Sequence, residues 1–469
     1  MKTWPLRFRD VQGVGTLFSN DAGNFFASGK DFLNRYALSQ LLPQDKEFLQ
    51  SHGFSYENEE DLAFRSFAYK WLRRQSHAKP LSYVILVPTL RCNLTCTYCQ
   101  VSRADERAKG YDWDEETCQA AIKFLDALQT DTIKIEFQGG EPLLRVDLLE
   151  RIRDFCKSRF ENARFVVCTN LQHLGPREWN FIEHDDVDVS TSIDGPAIFQ
   201  SQARTHDAAL TQKFFENVSS LLSRKDRSNI SALPTIDPLN PPNINDLLAT
   251  YLAYGFSSIY LRPINNHGFA RKRPPSAQVT ERWNRYHSDF LEFAIRHNAN
   301  SQTAVGEYYF SQCLKRILFS GIDNHVDIRN PNLLGEDYIL IDFDGRLYPT
   351  DEARMLARIG HIDLSIGTVW TGIDESSRGT LNAGSMNNFD PDCVHCVYQP
   401  YCGTDIVDDI SRYGRVDIPR GSTWFCQRHT ALFDKAFELL YRGDAATQQS
   451  LASWVGLPVW NREYAKVHA

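Results

Sequence analysis

Three cysteines, Cys92, Cys96 and Cys99, stand close together in the stretch Pro88-Thr-Leu-Arg-Cys-Asn-Leu-Thr-Cys-Thr-Tyr-Cys-Gln, directly after an apolar run over residues 83–87. Thiolates at this spacing, on a loop leaving a strand, can converge on one face of an iron-sulfur cluster. A four-iron cluster held by cysteine takes four ligands, and the next cysteine, Cys118, lies beyond a charged stretch and a helix start. One iron is then open to a small-molecule ligand. Structural zinc, the plainer reading, wants four ligands in short-spaced pairs, and the next histidine is His173. A second group, Cys393, Cys396, Cys402 and Cys426, has four thiolates and can close a site alone. Tetrahedral zinc suits that set as well as an iron-sulfur cluster does.

The elements that must position these residues become regular from residue 81. Apolar, β-branched runs over 83–87, 133–137, 164–169, 187–193, 230–236 and 259–262 alternate with helical periodicity over 114–128, 148–160, 177–183, 208–222 and 244–254. Asp114 is placed to cap the first of these helices. Six βα units in series predict an α/β fold, a partial (βα)6 TIM-type barrel closed by right-handed crossovers. Side chains for chemistry then belong at the carboxyl ends of the strands. Gln138-Gly139-Gly140-Glu141-Pro142 falls there, with glycines that let backbone approach a ligand, as do Thr169-Asn170, Ser192-Ile-Asp194-Gly-Pro196 and Arg262. Each of the first three also reads as turn chemistry. Arg204 is the first arginine after the last of these turns.

Residues 1–79 predict a small α+β module with helices over 31–42 and 61–74, either a cap on the barrel or a docking module offering a sheet edge to an extended peptide. The barrel occupies 80–265 and a helical bridge 266–334, with an exposed connection that includes Arg271-Lys-Arg273 and Pro274-Pro275, then helices over 279–298 and 307–319. Residues 335–430 carry the second cysteine group and a β-hairpin over 339–352 turning at Asp344-Gly345, and 431–469 form a helical tail. Cys118, Cys156, Cys168 and Cys313 read as core residues.

The spacing of the triad, with Tyr98 before its last cysteine, resembles the radical S-adenosylmethionine (SAM) enzymes. The resemblance implies a [4Fe-4S] cluster at Cys92, Cys96 and Cys99 whose open iron is chelated by SAM. It implies one-electron cleavage of SAM to a 5'-deoxyadenosyl radical that abstracts hydrogen from substrate. Gly139, Gly140, Glu141 and Pro142 resemble the motif that holds the SAM amino group, and Tyr98 belongs to the cofactor-binding loop. Asn170, Ser192 and Asp194 resemble ribose contacts, and Arg204 resembles the arginine that pairs with the SAM carboxylate.

Residues 335–430 resemble the SPASM extension of radical SAM enzymes that modify peptides and proteins. Cys393, Cys396, Cys402 and Cys426 match the ligands of its outer auxiliary [4Fe-4S] cluster, whereas Thr350 and Ile406 stand where the inner cluster has cysteines. One auxiliary cluster is expected, suited to electron relay or structural support. Asp351 falls where sulfatase-maturating relatives have a catalytic base. With the N-terminal module, the chain resembles the radical SAM maturases of His-Xaa-Ser repeat peptide systems. That likeness implies a ribosomally synthesised precursor peptide as partner, an oxidative cross-link as product, an electron donor such as flavodoxin or ferredoxin, and room for a small partner protein. The rivals are a sulfatase-type formylglycine maturase and a non-catalytic iron-sulfur scaffold that binds peptide.

Across 469 residues, 51 Lys and Arg against 59 Asp and Glu give a net charge of -8. With no long basic block, nucleic acid is an unsupported partner. The N-terminus lacks the apolar core of a signal peptide and no apolar run reaches membrane-spanning length. A cytoplasmic, membrane-free protein is expected, in which eleven cysteines serve metal ligation and packing, not disulfides.

Overall fold

The computed structural model describes residues 1–77, 79–272, 276–321, 325–458, 464 and 466–467. Part of the expected exposed connection, Arg273 to Pro275, and the end of the expected tail, residues 459–463, 465 and 468–469, lie outside the described residues.

Five parallel strands, Tyr83–Leu86, Thr132–Phe137, Asn162–Cys168, Val187–Thr191 and Ile230–Ala232, lie side by side in chain order. Between them run the helices Glu115–Asp126, Val146–Arg159, Pro176–Ile182 and Ala208–Arg224. Asp114 caps the first helix, accepting from Thr117 N at 2.8 Å. Ile133, Ile135 and Phe137 alternate inward along the second strand and join Val84, Leu86, Phe165, Val167, Val187 and Val189 in one core.

The last two predicted strands are broken. The stretch 230–236 splits around Pro234, which has no N–H to give to a ladder, and its second piece, Thr235–Ile236, pairs with Arg262–Pro263. The sixth stretch splits as well, with Ser258–Ile259 paired to Gly306–Glu307. The barrel is therefore partial and more open than six full strands would give.

The hairpin forms as predicted, with Leu340 opposite Tyr348 and a turn at Gly345 (φ +78°). Its first strand, Tyr338–Ile341, also pairs in parallel with Tyr83–Leu86, so the hairpin extends the barrel sheet across the expected boundary at 335.

The N-terminal module packs Arg7–Val11, Gly15–Ser19 and Phe25–Ser28 with the helices Lys30–Ala37 and Pro43–Ser51 around Phe18, Phe26, Phe32 and Phe54, and a third helix, Leu62–Arg74, places Phe64 and Phe67 against Trp4. The edge beyond Phe25–Ser28 is taken by Lys466–Val467 of the same chain, in parallel, so on that side no edge is open for a docked peptide. Buried Arg74 ties the module to the rest of the molecule, donating to Ala22 O and Arg316 O, each at 2.7 Å. Helices Ala277–Asn300, Tyr308–Leu318, Trp424–Tyr441 and Ala445–Val455 pack together behind the barrel. The third of these starts before the predicted tail and carries Cys426.

Candidate active site

The loop leaving the first strand is clamped by the turn that follows the second. Gly140 N donates to Thr89 O at 3.0 Å and Glu141 N to Arg91 O at 2.8 Å, just ahead of Cys92. Glycine is required here: a Cβ on Gly139 (φ +122°) would lie 2.2 Å from Thr89 O, and one on Gly140 would lie 2.1 Å from Arg91 O. What approaches these glycines so closely is the cysteine loop itself, a packing role beside the expected ligand approach.

Cys92, Cys96 and Cys99 line one cavity of about 230 Å³ together with Tyr98, Gly139, Gly140, Asn170, Ser192 and Arg204. Burial pushes the Cys92 thiol up to about 12, so a thiolate there needs a positive partner such as a bound iron. Asn170 Nδ2 points at Cys92 Sγ from 3.7 Å. Arg204 donates through Nε to Asp194 Oδ2 at 2.9 Å, and its guanidinium lies 5.3 Å from the centre of the Tyr98 ring. This leaves the other end of its fork toward the cavity.

Three expectations need correction. Asp194 is buried and does not line the cavity: the Tyr98 hydroxyl and Arg204 donate to one oxygen and Thr235 N to the other, so it positions Arg204 and has no free oxygen face for a ribose. Glu141 is fully buried and its carboxylate accepts from Leu143 N at 3.1 Å, Thr169 Oγ1 at 2.8 Å and Asn170 N at 2.8 Å, while Pro142 begins a buried helical turn. Neither side chain reaches the cavity; burial pushes Glu141 up to about 7. Cys168, expected in the core, lines the cavity and donates to Glu136 Oε1 at 3.3 Å.

A second cavity of about 430 Å³ adjoins the first, and Gln138, Arg262 and Asp351 line both. Asp351 opens the helix Asp351–Arg358, which Thr350 caps by accepting from Ala353 N at 3.0 Å. That cap occupies Thr350, and Ile406 starts the helix Ile406–Tyr413 and packs with Leu340, Val87 and Leu356. Neither residue offers the thiolate that an inner cluster would need. Glu352 hydrogen-bonds to Asp351, and burial with that neighbour holds it well above the usual carboxylate range. Glu352, Asp405 and His267, also in this cavity, carry no sequence motif and were not singled out above.

Cys393, Cys396, Cys402 and Cys426 line a third cavity of about 760 Å³. Thr423 caps the helix that brings Cys426, accepting from its N–H at 3.1 Å. Burial and the three neighbouring thiols push Cys402 well up. Among the described residues no three His, Cys, Asp or Glu side chains converge on a point as the ligands of one metal ion do.

Residues 86–222 match the model of the radical SAM superfamily. The chain carries a radical SAM domain. Its cysteine loop, glycine turn and Arg204 all lie within the matched residues. Over 117 residues the chain is 36% identical to an uncharacterized protein of Methanocaldococcus jannaschii, covering 24% of this chain and 39% of that one. Over 205 residues it is 23% identical to the radical SAM cyclopropyl synthase TigE of Paramaledivibacter caminithermalis, covering 40% and 43%. The chain thus spans less than half the length of these relatives. Native anSMEcpe with bound AdoMet has the same fold over 76% of this chain and 97% of its own, at 18% identity and a TM-score of 0.61. Streptococcus suis SuiB bound to S-adenosylmethionine overlaps 89% of this chain and all of its own, at 12% identity and a TM-score of 0.50. The fold likeness therefore covers far more of the chain than residues 86–222. Among the described residues no helix is long and apolar enough to cross a membrane.

Proposed function

We propose that the chain is a SPASM-type radical SAM oxidoreductase of the cytoplasm that oxidises a side chain of a peptide or protein held in the second cavity. The observation that carries this reading is Asp351, a carboxyl at the junction of the two cavities, within reach of both a cofactor in the first and a substrate in the second. Cys92, Cys96 and Cys99 would hold a [4Fe-4S] cluster, with SAM against Asn170, Ser192 and Arg204. That pair, when bound, supplies hydrogen-atom abstraction. Arg204, fixed by Asp194, would orient the SAM carboxylate, and Asp351 would take the proton that the oxidised carbon must shed. Cys393, Cys396, Cys402 and Cys426 would hold one auxiliary cluster and accept the electron. The substrate loses one hydrogen atom, one proton and one electron, two hydrogens in all.

Two outcomes satisfy that balance. A sulfatase-type maturase, converting to formylglycine a seryl residue, or a cysteinyl residue whose thioaldehyde water then hydrolyses with loss of hydrogen sulfide, is favoured by the better overlap with anSMEcpe, a protein solved with AdoMet and the Kp18Cys peptide, and by the position of Asp351. A cross-link within a ribosomally synthesised peptide, the outcome suggested by the His-Xaa-Ser likeness, is favoured by the sequence match to TigE, a cyclopropyl synthase. Incubation with a Cys-Xaa-Pro-Xaa-Arg peptide and a flavodoxin or ferredoxin as donor tests the first. Trapping an aldehyde with a hydrazine reagent supports formylglycine; unchanged peptide beside steady 5'-deoxyadenosine release rules it out for that sequence and turns the search to peptides encoded nearby. A protein that releases no 5'-deoxyadenosine is the non-catalytic scaffold.

A further inference from the structure

The strand pieces Thr235–Ile236 and Arg262–Pro263 pair in parallel, so the loops leaving their carboxyl ends lie side by side, with Ile264 N donating to Ile236 O at 3.0 Å. Between these loops, the start of the helix Ala277–Asn300 and Trp424 lies a fourth cavity of about 540 Å³. Its apolar walls come from Pro238, Leu239, Ile264, Ala270, Val279 and Trp424. The charged side chains of the lining already have partners: Arg412 donates to Asp408 at 2.8 Å and Asp237 accepts from Leu239 N at 3.0 Å. No step of the proposed chemistry uses this space. Asn265 and Trp424 line it and also line the second cavity, so the two spaces meet at these side chains.

Both residues at that seam are held in place, and both are short of a partner. Trp424 N donates to the Tyr413 hydroxyl at 2.7 Å, and the Arg412 guanidinium lies 4.6 Å from the centre of the indole. Trp424 is 6% exposed, yet its indole N–H has no hydrogen-bond partner among the described residues. Asn265 is fixed through its neighbour, since Asn266 Nδ2 donates to Ser411 O at 3.3 Å and Ser411 Oγ donates back to Asn266 O. The Asn265 side-chain amide is likewise without a partner among the described residues. Such an amide offers both a donor and an acceptor, the complement of a peptide bond, whereas an indole N–H only donates and is satisfied by a carbonyl oxygen.

We propose that the fourth cavity receives a large apolar side chain of the substrate, on a residue near the one that reacts at Asp351, while a peptide bond of the same chain pairs with the Asn265 amide and a carbonyl takes the Trp424 N–H. The proposal rests on the reading above that the second cavity holds a peptide. Leaving water for these walls is worth roughly 10- to 150-fold in affinity for a side chain the size of leucine or phenylalanine. A charged side chain would shed its hydration without meeting a free counter-charge. A proline would bring no N–H to the Asn265 carbonyl oxygen.

The test is calorimetric titration of the full chain, cluster-reconstituted and SAM-bound, with N-acetyl-Gly-Phe-Gly amide and with N-acetyl-Gly-Ala-Gly amide, which differ only by the phenyl ring. The phenylalanine peptide is expected to bind at least about tenfold more tightly. Ala277→Trp and, from a separate loop, Leu239→Trp fill the cavity and are each expected to remove most of that preference. Ala277 is exposed and Leu239 is 44% exposed, so both variants keep the fold, as unchanged melting curves would verify. Asn265→Ala is expected to weaken both peptides by about three- to tenfold and to keep the preference between them. Equal binding of the two peptides, binding of neither, a preference that survives both fillings, or unchanged affinities in Asn265→Ala overturns the proposal. Because binding is read without turnover, the two readings fail separately. Release of 5'-deoxyadenosine without a phenylalanine preference overturns only this inference, and a phenylalanine preference in a protein that releases none overturns only the proposed activity.

Discussion

The two cysteine groups are built differently. Cys92, Cys96 and Cys99 open on a small cavity whose other walls come from strand ends, with Asn170, Ser192 and Arg204 facing the space that the thiols leave. Cys393, Cys396, Cys402 and Cys426 line a larger cavity between loops and a helix, flanked by Arg420 and His429. The first group has three thiols, surrounded by side chains that can hold something else; the second has four. A three-thiol site beside an arginine fork suits reaction, and a four-thiol site suits electron storage. The hairpin strand Tyr338–Ile341 pairs with the first barrel strand, and Asp351, just after the hairpin, lies where the cavity of the first group meets the second cavity.

The sharpest way to break this comparison is to delete one thiol from each side. Cys402→Ala is expected to keep 5'-deoxyadenosine release while peptide product falls below detection, and product formed at the normal rate would remove the electron-accepting role. At the junction, Asp351→Asn should slow product formation by about 10²–10⁴-fold and leave SAM cleavage nearly intact. Equal loss of both would place Asp351 in cofactor binding instead. Arg204→Ala should raise the SAM KM by roughly 10- to 100-fold, the worth of a charge-assisted hydrogen bond of about 1.5–3 kcal/mol, and an unchanged KM would free Arg204 from that assignment.

The smallest expected effect concerns the hairpin paired to the first barrel strand. Burial pushes Asp342 up to about 6, and its Oδ1 has no partner among the described residues. Between pH about 4 and about 6 the folded chain keeps a proton that the unfolded chain has shed, so stability falls through that window and stays lower above it, by about 3 kcal/mol. Asp342→Asn should flatten that fall and raise the melting temperature at pH 7.5 but not at pH 4. A melting profile with the wild-type slope would assign the acid dependence elsewhere.

Much of the barrel was legible because its signals are local. Apolar period two and helical period alternate from residue 81, and Asp114 lies at a helix start, so the first four strands fall where the sequence places them. Apolar periodicity carries the predicted fifth strand straight through Pro234, where the ladder breaks, and the new partner of Thr235–Ile236 depends on residues far along the chain. The pairing of Tyr338–Ile341 with Tyr83–Leu86 was equally hidden, since a hairpin motif says nothing about which sheet it joins. At the site, residue types were readable and directions were not. Asp194 faces Tyr98 and Arg204 instead of the cavity, and the alternation of Asn162–Cys168 turns Phe165 and Val167 into the core and Cys168 to the other face. Glu352, Asp405 and His267 gather from three separate segments, which only the fold brings together.

The most direct test of the account is 5'-deoxyadenosine release by the anaerobically reconstituted full chain given SAM and a strong reductant, measured beside Cys96→Ala. The account predicts release by the wild-type protein, none by the variant, and retained release by Cys402→Ala. A wild-type protein that releases none, or a Cys96→Ala variant that releases as much, would contradict it.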